Sequence, residues 1–562
     1  MTIMKHKFKL RSGAIFVGIF CLICLELLIR LIFSLTAVPL SPKKYYFSLP
    51  DEPIFVDKSR AEGKFQITNP HWIGLFNYQE FPVEKATKTV RIFCLGGSST
   101  YGYPFGASLA WPRWLKKYLQ TVYPDKQWEV INAGADCYGS FRVLQLFAEI
   151  LDYEPDLIII FSGNNEFLEP HVFRKMNPWS KMVAGLQQQL EKLILYRCLV
   201  VLNHEIRSLV VQSHSHSFSR TVTPDPSDSS DMYTVRLSHS LSGPEILRTV
   251  INRAQLKSSI AQQDRELTYA LYRQNIEAMA SLANHSKVHC LLLTVPTNIA
   301  EWVPNVSWAP VEKNYERAQD RADKYFRAWE SCKADRNEEA LAEMKSIWTD
   351  EPEDPMACFI IGLILRKMGQ YEHARIYFQA ARDKDRLPLR APGALNEILK
   401  EVATKHGTGF LDLEEIFSNQ SPHGICGFNL FWDNCHPTRK GQQLIAQSIM
   451  KWLRQHNVFT HKKTSTAAAT DNLEEVTLAE PPALDSPWTA DMIAQMGYLL
   501  ECLNRFYLAE KHYRYALVMD DQNQVARSGL PRVTLIQNSG YAVQFDPYHQ
   551  LREAIDLEIC PD

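Results

Sequence analysis

From residue 90 the chain alternates short apolar runs with helical patterns, and this alternation limits the possible fold more than any other feature. "TVRIFCLGG" is an apolar run closed by glycines, "WPRWLKKYLQTVY" has helical spacing, and "WEVINAG" reads as a strand. "FRVLQLFAEILDY" reads as a helix, and "DLIIIFSGNNE" as a strand buried on both faces. "YALYRQNIEAMASLANHS" followed by "VHCLLLTVPTN" repeats the helix–strand order. Strands joined through helices run parallel, and right-handed crossovers cover both faces of their sheet. The expected fold is therefore α/β, a three-layer arrangement around a parallel sheet. Ligands bind beyond the carboxyl ends of such strands, so the residues that end each strand carry the functional information.

The first strand ends in "LGGSSTYG", which places Ser98 on a glycine-flanked turn where a helix N-terminus can offer backbone N–H groups to an anion. The second ends in "NAGADCYGS" and the third in "SGNNE", where Asn165 supplies a side-chain amide. Far downstream, "FWDNCHPT" holds Asp433 and His436 three positions apart. A carboxylate that fixes an imidazole's tautomer is half of a nucleophilic catalyst, and a serine beside amide donors is the other half. "GGSS" lacks the Lys-Ser/Thr pair of a phosphate-binding loop, and the chain has no Gly-x-Ser-x-Gly elbow.

In this order and at these strand ends, the four segments resemble the blocks of the SGNH (GDSL-type) hydrolase superfamily. The resemblance covers roughly residues 90–205, 268–305 and 392–457. It implies a flavodoxin-like hydrolase fold with Ser98 as nucleophile, His436 as general base, Asp433 as its orienter and Asn165 in the oxyanion hole. Cys137 and Gly139 compete for the backbone donor of the second block. Two positions depart from the pattern: Gly97 stands where an aspartate is common, and the acid of the third block is Glu166. The implied activity is cleavage, or transfer, of a small acyl group such as acetyl through an acyl-serine intermediate, without cofactor or metal. Similar anchored members suggest an acylated envelope or extracellular glycan as substrate.

The 562 residues exceed one ordinary core. Lys+Arg 61 against Asp+Glu 63 leaves a net charge of −2 and no basic block, which sets aside a nucleic-acid partner. Lys5, Lys7, Lys9 and Arg11 precede an apolar stretch from Ala14 to Val38, interrupted by Glu26 and Arg30. This predicts an uncleaved, single-pass signal anchor with the catalytic part extracytoplasmic. In that compartment Cys426 and Cys435 could form a disulfide.

A second period lies between the last sheet segments. Gly362, Ala374, Phe378 and Ala381 match the spacing of a tetratricopeptide repeat, whose small residues let two helices approach closely. Ala340 lies 34 residues before Ala374, and Pro352 follows it in a degenerate first copy. Gly497, Ala509, Tyr513 and Ala516 repeat the same offsets near the C-terminus, which predicts a third copy stacked on the inserted pair. Such repeats suit a protein partner, and a repeat scaffold with a secondary or inactive hydrolase site is the alternative to an enzyme.

The expected organisation is a tail and anchor (1–38), a connecting segment (39–89) and a first hydrolase part (90–320) with a loop insertion at 207–255. Inserted repeats (321–389), a last hydrolase part (390–457), a linker (458–487) and C-terminal repeat-like helices (488–562) follow. His214 and His216, in the Ser- and Asp-rich insertion, have no partner ligands for a metal.

Overall fold

The computed structural model describes residues 53–168, 262–305, 315–350, 352–459, 489–502 and 505–538, with Leu25 and four positions between 551 and 558. Residues 54–174 and 232–562 make one compact unit, which holds the fold described below; residues 1–53 and 175–231 make another.

Three short strands come first: β1 (Phe55–Arg60), β2 (Gly63–Thr68) and β3 (Glu80–Pro82), paired antiparallel in the order β1-β2-β3. They lie in the segment that the sequence suggested was only a connection. Their pattern is weak because β1 buries only its first residue and exposes its last four. What anchors them is aromatic. Phe81 stands edge-on to Phe55 and to Phe93 of the following sheet, with ring centroids 5.2 and 5.5 Å apart.

The central sheet comprises β4 (Thr89–Gly96), β5 (Gln127–Gly134), β6 (Leu157–Phe161), β7 (His289–Leu293) and β8 (Gly409–Leu411). All neighbours are parallel, in the order β5-β4-β6-β7-β8. Every residue of β6 is buried, as a strand covered on both faces requires. Helices α1 (Ser98–Tyr101), α2 (Trp111–Val122), α3 (Ser140–Ile150) and α4 (Gln262–Ser286) connect the first four strands. The chain turns from β4 to one side and returns to β6 on the other, so the crevice between the ends of β4 and β6 is the topological switch point.

Between β7 and β8 lie α5 (Tyr315–Lys333), α6 (Asn337–Asp350), α7 (Pro355–Lys367), α8 (Tyr371–Lys384) and α9 (Gly393–His406). The first four are an all-α insertion packed in sequence, each on the next, and α9 returns to the sheet against α4. After β8, α10 (Leu413–Asn419) and α11 (Arg439–Gln455) follow, α11 packing on α2. The two sheet faces are thus covered by α2 with α11 and by α3, α4 and α9.

Three C-terminal helices, α12 (Ala490–Cys502), α13 (Phe506–Met519) and α14 (Gln524–Asn538), pack together. Their apolar cluster continues into Cys137, Leu168, Trp302, Leu387, Leu389 and Trp432, and contains no residue of α7 or α8. Arg505 fixes the contact by stacking over Trp302 at 4.5 Å and donating to the Val303 carbonyl at 2.6 Å. Through this cluster the unit sits on the loops at the carboxyl end of the sheet.

Among the described residues no helix is long and apolar enough to cross a membrane. Even the longest, α4, interrupts its apolar positions with Arg265, Glu266, Arg273 and Glu277. This corrects the expected single-pass, extracytoplasmic placement. Apart from Leu25, the stretch 14–38 on which it rested lies outside the described residues, as do the 207–255 insertion with His214 and His216 and most of the 458–487 linker.

Candidate active site

The turn after β4 is built by close approach. A side chain at Gly96 would meet the Phe161 carbonyl at 2.1 Å, and one at Gly97 would meet Asn165 Nδ2 at 2.5 Å. Ser98 follows as the first residue of α1, a single helical turn, so its backbone N–H is among those with no partner within the helix. The helix N-terminus expected behind the serine is therefore short, and local N–H groups matter more than a macrodipole.

The loop between α10 and α11 brings the downstream motif to this turn. His436 Nε2 lies 2.7 Å from Ser98 Oγ across 338 residues of sequence, and His436 Nδ1 lies 2.6 Å from Asp433 Oδ2. Asp433 is fully buried, and its other oxygen accepts the Cys435 and His436 backbone N–H groups at 2.9 and 2.8 Å. Burial opposes a charge on His436, but the Asp433 carboxylate overcomes it and lifts the imidazole well above its ordinary range. Chemically, this line can draw a proton from Ser98 and hold it on the ring.

Asn165, in the turn that follows β6, donates one Nδ2 hydrogen to the Tyr138 carbonyl at 2.9 Å, and the amide carries a second. Cys137 and Gly139 differ in backbone. Cys137 has φ +55°, a left-handed conformation unusual for a residue with a side chain, within a turn closed by Tyr138 N–H to Ala135 O at 3.4 Å. Gly139 is ordinary extended backbone at the start of α3. Glu166, beside Asn165, accepts the Ser140 N–H at 2.9 Å and its hydroxyl at 2.6 Å. It caps α3 and binds the second block to the third.

Several residues that the sequence did not single out complete the site. The Tyr103 ring packs against His436 with centroids 4.7 Å apart, and Ser99 Oγ donates to the Cys435 carbonyl at 3.2 Å. Asn298, after β7, donates to the Asp433 and Asn434 carbonyls at 3.1 and 3.0 Å. Strand-end position was the available signal for Asn298; the others depend on contacts between distant segments.

The disulfide that the sequence allowed is not formed: Cys426 and Cys435 are both free thiols. Cys426 faces Ser421, while Cys435 Sγ lies 3.8 Å from His436 Nδ1. Burial pushes the Cys435 thiol up, which keeps it neutral. The loop is held instead by hydrogen bonds, among them Asn434 Nδ2 to the Leu389 carbonyl at 2.7 Å. Asp433, Cys435 and His436 bring three potential metal-ligating atoms within 4.8 Å of one another, but the Asp433–His436 hydrogen bond already uses two of them.

The sequence matches no protein-family model and no curated protein. Among solved structures it is similar to an alpha/beta hydrolase enzyme from the metagenome of Lake Arreo, Spain, at 11% identity and a TM-score of 0.28, over 66% of this chain and 96% of the other. A variant acetyl xylan esterase from Geobacillus stearothermophilus matches at 11% identity and a TM-score of 0.27, covering 66% and 96%. A putative acylhydrolase from Bacteroides fragilis NCTC 9343 matches at 12% identity and a TM-score of 0.26, covering 66% and 89%. At these identities and scores the matches assign neither a family nor an activity to this chain.

Proposed function

We propose that the chain is a serine ester hydrolase of the SGNH type, acting on a small acyl group. The observation that carries this reading is the unbroken line from Ser98 Oγ through the His436 ring to the buried Asp433 carboxylate. His436 Nε2 takes the Ser98 proton as Oγ attacks the ester carbonyl, and Asp433 stabilises the imidazolium. The oxyanion is held by the second Asn165 Nδ2 hydrogen, the Ser98 N–H and the Cys137 N–H, which exchanges the Asp136 carboxylate for the oxyanion. His436 then protonates the departing alkoxide, and water, or a hydroxyl acceptor in a transfer reaction, resolves the acyl-serine by the reverse route.

Only 8% of Ser98 and 9% of Asn165 is exposed, which favours a short acyl group such as acetyl. An acylated glycan is the substrate class the sequence resemblance suggests. The helical hairpins of the insertion and the C-terminal unit are read as tetratricopeptide-like, with a protein partner as their role. Replacing Ser98 by Ala is expected to lower hydrolysis of a chromogenic acetate ester by at least about 1000-fold with the fold retained. Undiminished turnover would refute the serine assignment.

A further inference from the structure

The left-handed Cys137 is held by a group outside the four sequence blocks. Arg142 is the third residue of α3, where a cation is disfavoured by the helix dipole, so its position calls for a partner. Its Nη2 donates to the Cys137 carbonyl in a short hydrogen bond, and its guanidinium lies over the Tyr138 ring at 4.0 Å. The Tyr138 carbonyl is the acceptor for Asn165 Nδ2. One guanidinium thus braces two consecutive residues, of which the first carries the strained backbone and the second orients the amide.

The turn also contains an opposing charge. Asp136, half-buried and next to Cys137, accepts the Cys137 backbone N–H on its carboxylate, takes the Cys137 thiol at 3.6 Å, and lies close enough to His436 to feel its charge. Burial raises this carboxyl, and His436, Cys137 and Arg142 each favour its ionised form. A substrate oxyanion must displace this carboxylate from the Cys137 N–H, and an Asp136 charge unopposed by Arg142 would hold that N–H more tightly.

We propose that Arg142 is a positioning residue for the oxyanion hole: it locks the Cys137 turn, directs the Asn165 amide through Tyr138, and offsets the Asp136 charge. The proposal rests on the serine-hydrolase reading. It concerns a group that touches neither the ester nor Ser98, and acts only through the donors. Strained backbone persists where its surroundings hold it, and Arg142 supplies that hold on the carbonyl side.

The test uses the full chain and 4-nitrophenyl acetate. Arg142→Ala should lower kcat about 10- to 100-fold, at or below the loss for a removed oxyanion donor because the donors are displaced rather than deleted, while KM changes less than about twofold. Arg142→Lys, which keeps one charged donor, should lose less. Added guanidinium chloride at concentrations that leave the wild type unaffected should restore a large part of the Arg142→Ala loss, because the site of the missing group is only half-buried. Unchanged kcat in Arg142→Ala would overturn the proposal. So would a loss shared equally by kcat and KM that guanidinium does not restore, since a merely structural role predicts that. Ser98→Ala in the same assay separates the two failures: if it retains turnover, the hydrolase reading fails, whereas if it is inactive and Arg142→Ala runs at full rate, only the role of Arg142 fails.

Discussion

At the residue scale the candidate site was legible where chemistry dictates residue type, and illegible where packing does. Ser98, Asn165, Asp433 and His436 stood out because each ends a strand or loop with a group that nucleophilic catalysis uses, and the structure brings all four together. Gly97 looked like a departure from a common aspartate. Its reason is steric: the Asn165 amide occupies the space that a Cβ would need. Gly97→Ala is therefore expected to lower kcat by about 10- to 1000-fold as the amide leaves its place, and to lower the thermal midpoint as well, since the buried bond from Asn165 to the Tyr138 carbonyl is lost and that carbonyl lies 3.1 Å from the new Cβ. Full activity in that variant would show that Asn165 is not a donor.

The pH dependence follows from His436. Desolvation, the largest single influence, opposes its protonation, but the charge and hydrogen bond of Asp433, 2.6 Å away, together with Cys435, outweigh it, so the proton is held to a pH above the usual 6.5. General-base catalysis needs the neutral ring. Activity should thus be present above the raised pKa and be lost as pH falls through it, putting the acid limb of kcat/KM above 6.5. Cys435, Asp136 and Tyr103 also face the ring, but only Asp433 supplies a hydrogen-bonded charge. In Asp433→Asn the burial penalty loses its main opponent: the limb should move to lower pH and kcat should fall about 10,000-fold. A limb that stays in place would show that Asp433 does not set the titration.

At the element scale, buried parallel strands announce themselves as continuous apolar runs, which is why β4 to β7 could be read directly. The antiparallel strands β1 to β3 could not, because their polar surface residues mask a small aromatic contact. The glycine–aromatic spacing of the helical hairpins was legible for a physical reason. A Cβ at Gly362 would sit 2.8 Å from the Phe378 ring, and one at Gly497 would sit 2.8 Å from the Tyr513 ring. Tyr513 has little room to yield, since Gly529 crowds its other side and its hydroxyl is bound to Glu501 at 2.7 Å. Gly497→Ala gains helix propensity of up to about 1 kcal/mol but overpacks this contact, so a net loss of about 1–2 kcal/mol is expected as a lower denaturation midpoint. A raised midpoint would mean that the helices are not held at contact distance by this glycine.

At the scale of the whole molecule, the all-α insertion between β7 and β8 separates segments that the sheet reunites, and the α12–α14 unit returns to the loops around Trp302 and Trp432. Trp432 directly precedes Asp433, so the apolar contact of the C-terminal helices ends next to the loop that carries Asp433 and His436. This docking was not legible in the sequence, because repeat spacing specifies how two helices pack together and not what surface they then cover. The central claim remains that these distant segments converge to activate one serine. It is tested most directly by treating the full chain with a fluorophosphonate probe and locating the adduct by mass spectrometry. The account predicts a single adduct on Ser98 that is abolished in His436→Ala; labelling elsewhere, or undiminished labelling without His436, would contradict it.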